Sequence, residues 1–163
     1  MKYNYLGNTG LLVSELCFGT MTFGGKGIWE AMGKVQQQEA NDLMKVVTDS
    51  GINFIDTANV YSFGESESLL GQSLKDLGLN RNELVIATKV RGRMDDKPNN
   101  AGLSRYHIFN SVNESLKRLQ MDHIDILYVH GVDHATPVEE IMRALNDVVL
   151  SGKARYIAVC NWP

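Results

Sequence analysis

Three ionisable residues stand late in three short, mostly apolar segments of the sequence: Asp56, Lys89 and His130. Lys and Asp are rarely buried unless they are paired, so neighbouring strands carrying Asp56 and Lys89 would bring the two charges together. Tyr61 follows Asp56 by five residues. An ammonium group beside a phenol favours the ionised phenol, which makes the tyrosine a better proton donor. The pattern predicts a general acid that protonates a carbonyl oxygen while hydride reaches the carbonyl carbon.

Each of these residues also has an ordinary structural interpretation when it is taken singly. An Asp at a strand end usually caps a turn, and a Lys usually extends its ammonium to solvent. A buried His usually has its ring nitrogens hydrogen-bonded within the core. The occurrence of all three at the ends of predicted strands favours a functional site instead. A Schiff-base role for Lys89 is disfavoured because Asp56 would keep its amine charged. Metal-dependent hydrolysis is disfavoured because His130 and His134 lack an H-E-x-x-H context, so no metal site is predicted.

Alternation of short apolar strands with amphipathic helices positions these residues. Five strands are predicted, at 16–21, 53–58, 84–90, 124–130 and 155–159. Four apolar stripes at helical spacing lie between them: Ala40/Leu43/Met44/Val47, Leu70/Leu74/Leu77, Ile108/Val112/Leu116/Leu119 and Val138/Ile141/Leu145/Val148. Gly51, Gly78 and Gly152 are predicted to end helices. Residues 136–139, Thr-Pro-Val-Glu, predict a capping box with Pro137 at the first helical position.

This alternation predicts a single α/β domain, 1–163, with a parallel sheet and right-handed crossovers. Residues 1–15 form a hairpin cap across the amino ends of the strands, and 16–163 form the βα repeats. An open dinucleotide-binding sheet would carry G-x-G-x-x-G after its first strand, but the glycines of 19–27 have another spacing. We therefore predict a (β/α)8 TIM barrel, of which this chain holds the first five parallel strands.

Composition excludes several classes of partner. The 163 residues have a net charge of -3, without the basic excess that nucleic acid requires. No apolar run approaches the roughly 20 residues of a membrane span, and the first residues lack a signal-peptide core. The two cysteines, Cys17 and Cys160, imply no disulfide framework. We expect a cytoplasmic protein that acts on a small molecule.

The sequence resembles the aldo-keto reductase family across nearly its whole length. The segments that carry the resemblance are Phe18-Gly19-Thr20-Met21, Asn53-Phe54-Ile55-Asp56-Thr57-Ala58 with Tyr61, Ala87-Thr88-Lys89, Leu127-Tyr128-Val129-His130, and Gly152-Lys153-Ala154-Arg155-Tyr156-Ile157 with Asn161-Trp162. The resemblance implies a barrel that binds NADPH without a Rossmann fold. It also implies a catalytic tetrad of Asp56, Tyr61, Lys89 and His130, in which Tyr61 donates the proton and His130 orients the substrate carbonyl.

The resemblance further implies which residues meet the cofactor and the substrate. Asp56 and the first-strand residues Gly19, Thr20 and Met21 would lie beside the cofactor. Cys160 and Asn161 stand where the family holds the nicotinamide carboxamide with a Ser-Asn pair, and Cys160 replaces the hydroxyl with a weaker thiol donor. Trp29, together with Tyr61 and His130, would line the substrate pocket.

The expected function is therefore NADPH-dependent reduction of aldehydes or ketones to alcohols. An inactive, truncated family member that serves as a binding or interaction module is the alternative. A (β/α)8 barrel takes about 250 residues, so 163 residues are expected to lack three strands and the family's phosphate clamp. Open sheet edges would then favour self-association. The sequence identifies neither the substrate nor the preference between NADP and NAD.

Overall fold

The structure is a computed structural model that describes residues 1–162. Its strands are β1 (Tyr3–Tyr5), β2 (Leu12–Ser14), β3 (Cys17–Gly19), β4 (Phe54–Asp56), β5 (Val85–Val90), β6 (Ile124–Val129) and β7 (Ala154–Val159). Its α-helices are α1 (Gln37–Asp49), α2 (Glu65–Asp76), α3 (Arg105–Leu119) and α4 (Val138–Leu150). Short 3-10 turns cover Gly27–Trp29, Tyr61–Gly64 and Arg81–Glu83.

The five strands β3 to β7 form one parallel sheet in consecutive order, as predicted. Each pair of neighbours is parallel, and α1 to α4 connect them in turn. The register places Gly19 beside Asp56, Asp56 beside Ala87, and Lys89 beside Tyr128. The late residues of neighbouring strands therefore meet at one end of the sheet.

The pleat of the strands separates two apolar clusters. One face packs against the helices, and its largest fully buried side chains include Ile55, Ile86 and Leu127 from the strands and Met44, Leu70, Ile108 and Leu145 from the helices. The other face carries a smaller cluster of Val13, Phe54, Val85, Ala87 and Ile126. Because successive strand residues point to opposite faces, the residues of the second face continue toward Asp56 and Lys89.

The hairpin of β1 and β2 covers the amino end of this second face. Its strands are antiparallel, with Tyr3 opposite Ser14. Val13 enters the smaller cluster beside Phe54 and Val85, which begin β4 and β5. The backbone N–H of Ser14 donates to the Asn53 side-chain oxygen at 2.8 Å. The predicted position of the hairpin is thus what the structure shows.

The helix ends agree with the sequence in three places and differ in one. Gly51, Gly78 and Gly152 all have positive φ, at 78°, 59° and 76°, where the helices end. The predicted capping box at 136–139 is wrong. Helix α4 begins at Val138 because Pro137 has an extended ψ of 135°. The Thr136 hydroxyl instead donates to the Asp133 carboxylate at 2.7 Å.

The predicted first strand, 16–21, is shorter in the structure, at Cys17–Gly19. The Thr20 N–H still donates to the Asp56 carbonyl at 2.9 Å, but the Phe23 N–H donates back to the Thr20 carbonyl at 3.0 Å. This turn carries the chain out of the sheet and into a long loop. The loop closes where Gly25 meets Gly33, since a Cβ on Gly25 would lie 1.9 Å from the Gly33 carbonyl oxygen.

Helices α2 and α3 cross closely at Gly71, and a larger residue there should destabilise the fold. A Cβ on Gly71 would lie 2.5 Å from the backbone carbonyl oxygen of Leu119. We expect Gly71→Ala to lower the free energy of unfolding by about 1–3 kcal/mol, the usual cost of overpacking. Denaturant titration measures it, with Gly10→Ala as control because its Cβ would meet nothing within 4 Å. Equal stability of both variants would show that the helices separate without cost.

The two outer strands of the parallel sheet each have one neighbour within residues 1–162. These edge strands are β3 and β7. On β7, Ile157 and Val159 are exposed, although they alternate with side chains of the smaller cluster. No helix among the described residues has both the length and the apolar character needed to cross a membrane.

Candidate active site

The Lys89 ammonium is the centre of a hydrogen-bonded cluster at the carboxyl end of the sheet. Its Nζ donates to Asp56 Oδ2 at 2.5 Å, to the Thr57 carbonyl oxygen at 2.9 Å and to Tyr61 Oη at 3.3 Å. An ammonium has three donors, so this set uses all of them. Lys89 is only 7% exposed. The predicted grouping of Asp56, Lys89 and Tyr61 is therefore present.

The cluster is buried strongly enough to affect its carboxylate. Burial raises the pKa of Asp56 above its ordinary value, and the adjacent Lys89 ammonium opposes that rise. Attraction between the Asp56 carboxylate and the Lys89 ammonium offsets part of the cost of desolvating the two groups. Asp56 therefore serves as the counter-charge that allows Lys89 to stay inside the sheet.

A strained turn fixes the position of Tyr61. Ser62, Phe63 and Gly64 have successive positive φ values of 50°, 53° and 93°. Left-handed backbone at residues other than glycine costs about 1–3 kcal/mol each and persists only where the surroundings impose it. Here the buried Ser62 hydroxyl donates to the Phe23 carbonyl and accepts from the Gly25 N–H, both at 2.9 Å. The first long loop thus holds the turn that presents Tyr61.

Three aromatic side chains lie in a row at the carboxyl end of the sheet, which we call the mouth of the site. Trp29 meets Tyr61 edge-to-face with ring centroids 5.5 Å apart, and Tyr61 meets His130 in the same way at 5.9 Å. The structure therefore brings the predicted substrate residues Trp29, Tyr61 and His130 together. The Trp29 indole nitrogen is buried without a hydrogen-bond partner. His130 follows β6, and its backbone N–H donates to the Val90 carbonyl oxygen at 2.9 Å.

His130 should remain neutral through the physiological range. Burial first, and then the positive charges of Lys89 and Arg91, lower its pKa from 6.5 to about 4. The unfolded chain then binds a proton between pH 6.5 and about 4 that the folded chain does not, so stability falls as pH drops through this window. We expect an NMR titration of the His130 ring to give a midpoint near 4. In His130→Gln this contribution to the pH dependence of urea unfolding should disappear, and a midpoint near 6.5 would contradict the burial argument.

The predicted cofactor residues divide into exposed and buried ones. Gly19 lies beside Asp56 in the register, and a Cβ placed on it would meet nothing within 4 Å. Met21 is 41% exposed. Thr20 is fully buried instead, and its hydroxyl hydrogen-bonds Ser66 Oγ at 2.8 Å. The structure therefore gives the Thr20 side chain a role in joining β3 to α2, away from the mouth.

Cys160 and Asn161 follow β7 at the same end of the sheet. The Cys160 thiol donates to the Val129 carbonyl at 3.6 Å, and the Asn161 amide donates to Cys160 Sγ at 3.5 Å. Burial raises the pKa of Cys160, so the group is a neutral thiol near pH 7. Asn161 is exposed and has a φ of 54°.

A second polar cluster lies on the helix side of β5. Glu67 on α2 is fully buried, and it accepts from Thr88 Oγ1 at 2.5 Å and from Arg118 Nε on α3 at 2.7 Å. The Arg118 Cδ lies 2.6 Å from where a Cβ on Gly64 would stand. Thr88 precedes Lys89, and Gly64 ends the Tyr61 turn. This Glu67–Arg118–Thr88 cluster thus supports both elements that carry the proposed site.

The sequence holds a signal for this cluster that our predictions did not include. Glu67 lies three residues before Leu70 and seven before Leu74, on the same stripe of α2. A charged residue on an apolar stripe points to a buried ion pair. Within residues 1–162, no three His, Cys, Asp or Glu side chains are placed to hold a metal ion.

A parallel sheet of consecutive βα units, with its polar side chains gathered at the carboxyl ends of the strands, defines an enzyme fold of the (β/α)8-barrel class. The sequence model of the Aldo/keto reductase family matches residues 15–163. This chain belongs to the aldo/keto reductase family, and its relatives include oxidoreductases.

Individual relatives show how much of such a protein the chain represents. It is 40% identical over 178 residues to the versiconal hemiacetal acetate reductase of Aspergillus parasiticus, covering 99% of this chain and 51% of that protein. It is 41% identical over 163 residues to a rice protein (Oryza sativa subsp. japonica) named "Probable voltage-gated potassium channel subunit beta", covering 99% of this chain and 47% of that protein.

A solved structure gives the same proportion. A holo-form aldo-keto reductase from Bacillus halodurans superposes with a TM-score of 0.83 at 32% identity, covering 99% of this chain and 50% of that one. The chain therefore spans about half the length of the relatives it matches. Its five strands form a partial barrel.

Proposed function

We propose that this chain carries the carbonyl-reducing site of an NADPH-dependent reductase, with Tyr61 as the proton donor to an aldehyde or ketone. The observation that carries the proposal is the Lys89 ammonium, which contacts both Asp56 Oδ2 and Tyr61 Oη. A phenol held against a buried ammonium is suited to give up its proton when negative charge develops on a carbonyl oxygen. The identity of the family supports an oxidoreductase with this chemistry.

Each residue of the cluster has a separate task in this proposal. Tyr61 Oη gives its proton to the substrate oxygen, and the Lys89 ammonium stabilises the phenolate that remains. Asp56 accepts a hydrogen bond from Lys89 Nζ and holds the ammonium in place. His130, as a neutral imidazole, presents an N–H that can hydrogen-bond the same carbonyl oxygen and orient it. Trp29 walls the site beside Tyr61 and excludes water.

The residues present fit a nicotinamide cofactor at this end of the sheet. NADPH supplies hydride when it is bound. Gly19 leaves open space beside Asp56, which suits the close approach of a planar ring. The exposed Asn161 amide offers the donor and acceptor that a carboxamide requires. Met21 adds apolar surface nearby.

Turnover and binding of the cofactor test this function. The assay follows loss of NADPH absorbance with a small aldehyde, in parallel with NADPH fluorescence titration. It is run on this chain and on this chain joined to the C-terminal half of the Bacillus halodurans enzyme. We expect aldehyde-dependent oxidation of NADPH by the joined protein. A folded, NADPH-binding joined protein without turnover would contradict the proposal.

A binding or interaction module is the second candidate. It is favoured by the 41% identity to a protein named as a potassium channel subunit beta. The module would bind NADPH or a partner without turnover, so the same assay separates the two candidate functions.

Cytoplasmic location and self-association through β3 and β7 stay predictions, which fractionation and analytical ultracentrifugation would test.

A further inference from the structure

Arg91 occupies a strained position at the mouth of the proposed site. It directly follows β5, which ends at Val90, so it lies at the same end of the sheet as Lys89. Its φ is 151°, in a region that residues other than glycine rarely adopt. Such strain persists where the surrounding structure imposes it, and it clusters at functional sites.

The Arg91 side chain is held along the loop that follows His130. Its Nε donates to the Val132 carbonyl oxygen at 2.8 Å. Its Cδ, Nε and Cζ atoms lie 3.5–3.7 Å from where a Cβ on Gly131 would stand, so the side chain runs beside this backbone. The Arg91 carbonyl accepts from the Gly102 N–H at 2.9 Å, which anchors the other side of the residue.

The guanidinium has no carboxylate partner among the described residues. No Asp or Glu oxygen lies within ion-pair distance of it there. The nearby Asp133 carboxylate accepts from the Leu103 N–H, the Ala135 N–H and the Thr136 hydroxyl. Arg91 is exposed. Its two terminal nitrogens are therefore positioned and available to a ligand.

We propose that Arg91 binds an anionic group of the carbonyl substrate, so that the preferred substrates are aldehydes or ketones bearing a carboxylate or phosphate. Trp29, Tyr61 and His130 lie in a row, and the Arg91 side chain runs beside Gly131, the residue that follows His130. A substrate with its carbonyl between Tyr61 and His130 and its other end extended along Gly131 would bring that end to the guanidinium. Two terminal nitrogens of one guanidinium match the two oxygens of a carboxylate or phosphate. The inference rests on the proposed function for the identity of the reacting group.

A pair of aldehydes that differ in charge tests this assignment by binding alone. The probes are 4-carboxybenzaldehyde and its uncharged methyl ester, titrated into the chain and followed by NMR. We expect Arg91→Gln to weaken binding of the carboxylate by about 10- to 100-fold and to leave the ester unchanged. Arg93→Gln is the matched control, because it removes the same charge from a position two residues further along the chain. The Arg93 side chain donates to the carbonyls of Asp95 and Lys97 instead.

Every other outcome overturns the assignment or relocates the anion. Equal binding of both probes, absence of carboxylate binding, or an equal effect of Arg93→Gln would overturn it. If Arg91→Gln weakens NADPH and leaves the carboxylate probe unchanged, the anion is a cofactor phosphate and the substrate assignment is wrong. Arg91-dependent binding of the carboxylate, combined with no turnover in the folded, NADPH-binding joined protein, would refute the reductase and leave the anion site standing.

Discussion

Tyr61→Phe should lower NADPH-dependent aldehyde reduction by roughly 10²–10⁴-fold, the range expected for loss of a general acid. The substitution removes only the hydroxyl that lies 3.3 Å from Lys89 Nζ. The ring remains, so its edge-to-face contacts with Trp29 and His130 should be kept. Affinity for NADPH should change little, because the proposed cofactor contacts come from Gly19, Met21 and Asn161. The effect should therefore fall on kcat.

The measurement compares kcat and the NADPH dissociation constant in the joined protein described above. Tyr106→Phe is the control, since Tyr106 is 64% exposed on α3 and lies outside the site. Unchanged turnover in Tyr61→Phe would show that the proton comes from elsewhere, with His130 the next candidate. A fall in NADPH affinity of the same size would show that Tyr61 acts in binding instead.

Arg118→Met should lower the free energy of unfolding by about 3–5 kcal/mol, because it leaves the Glu67 carboxylate buried without its counter-charge. Glu67 is fully buried, and its other partner, Thr88, is neutral. The methionine keeps much of the apolar stem that packs beside Gly64. The loss should thus report the charge pair more than the packing. Urea or thermal unfolding of the chain measures it.

A surface arginine and a double variant separate charge from packing. Arg143→Met, on the exposed side of α4, should change stability little. Glu67→Met combined with Arg118→Met should recover part of the loss, since replacing both members of a buried pair is often close to neutral. A double variant as unstable as the sum of the two single variants would show that the residues act independently. That result would refute the coupling.

The fold and the centre of the site could be predicted because both follow from the spacing of apolar and polar residues along the sequence. Short apolar runs located β4 to β7, and apolar stripes at helical spacing located the helices between them. The late positions of Asp56 and Lys89 in adjacent strands were enough to predict their contact, because parallel neighbours end at the same edge. Cys160 and Asn161 were placed by resemblance, and they do follow β7.

The remainder depends on tertiary contacts that sequence spacing does not encode. Thr20 was predicted to lie beside the cofactor, and the sequence did not show that its side chain is fully buried against Ser66. The capping box failed because Asp133 competes for the Thr136 hydroxyl. Arg91 was overlooked because an arginine after a strand is usually a solvated charge. Its strained φ and its bond to Val132 appear only in the folded chain.

Strand β5 uses both of its faces at consecutive residues: Thr88 joins the Glu67–Arg118–Thr88 cluster, and Lys89 joins Asp56 and Tyr61. Deletion or insertion of one residue between Val85 and Thr88 would exchange the two faces. It would turn an ammonium toward the helices and a hydroxyl toward the mouth. Substitutions in this strand can vary in size and polarity one at a time, but its length cannot drift. In the evolution of this chain, β5 should therefore accept point changes while remaining closed to indels.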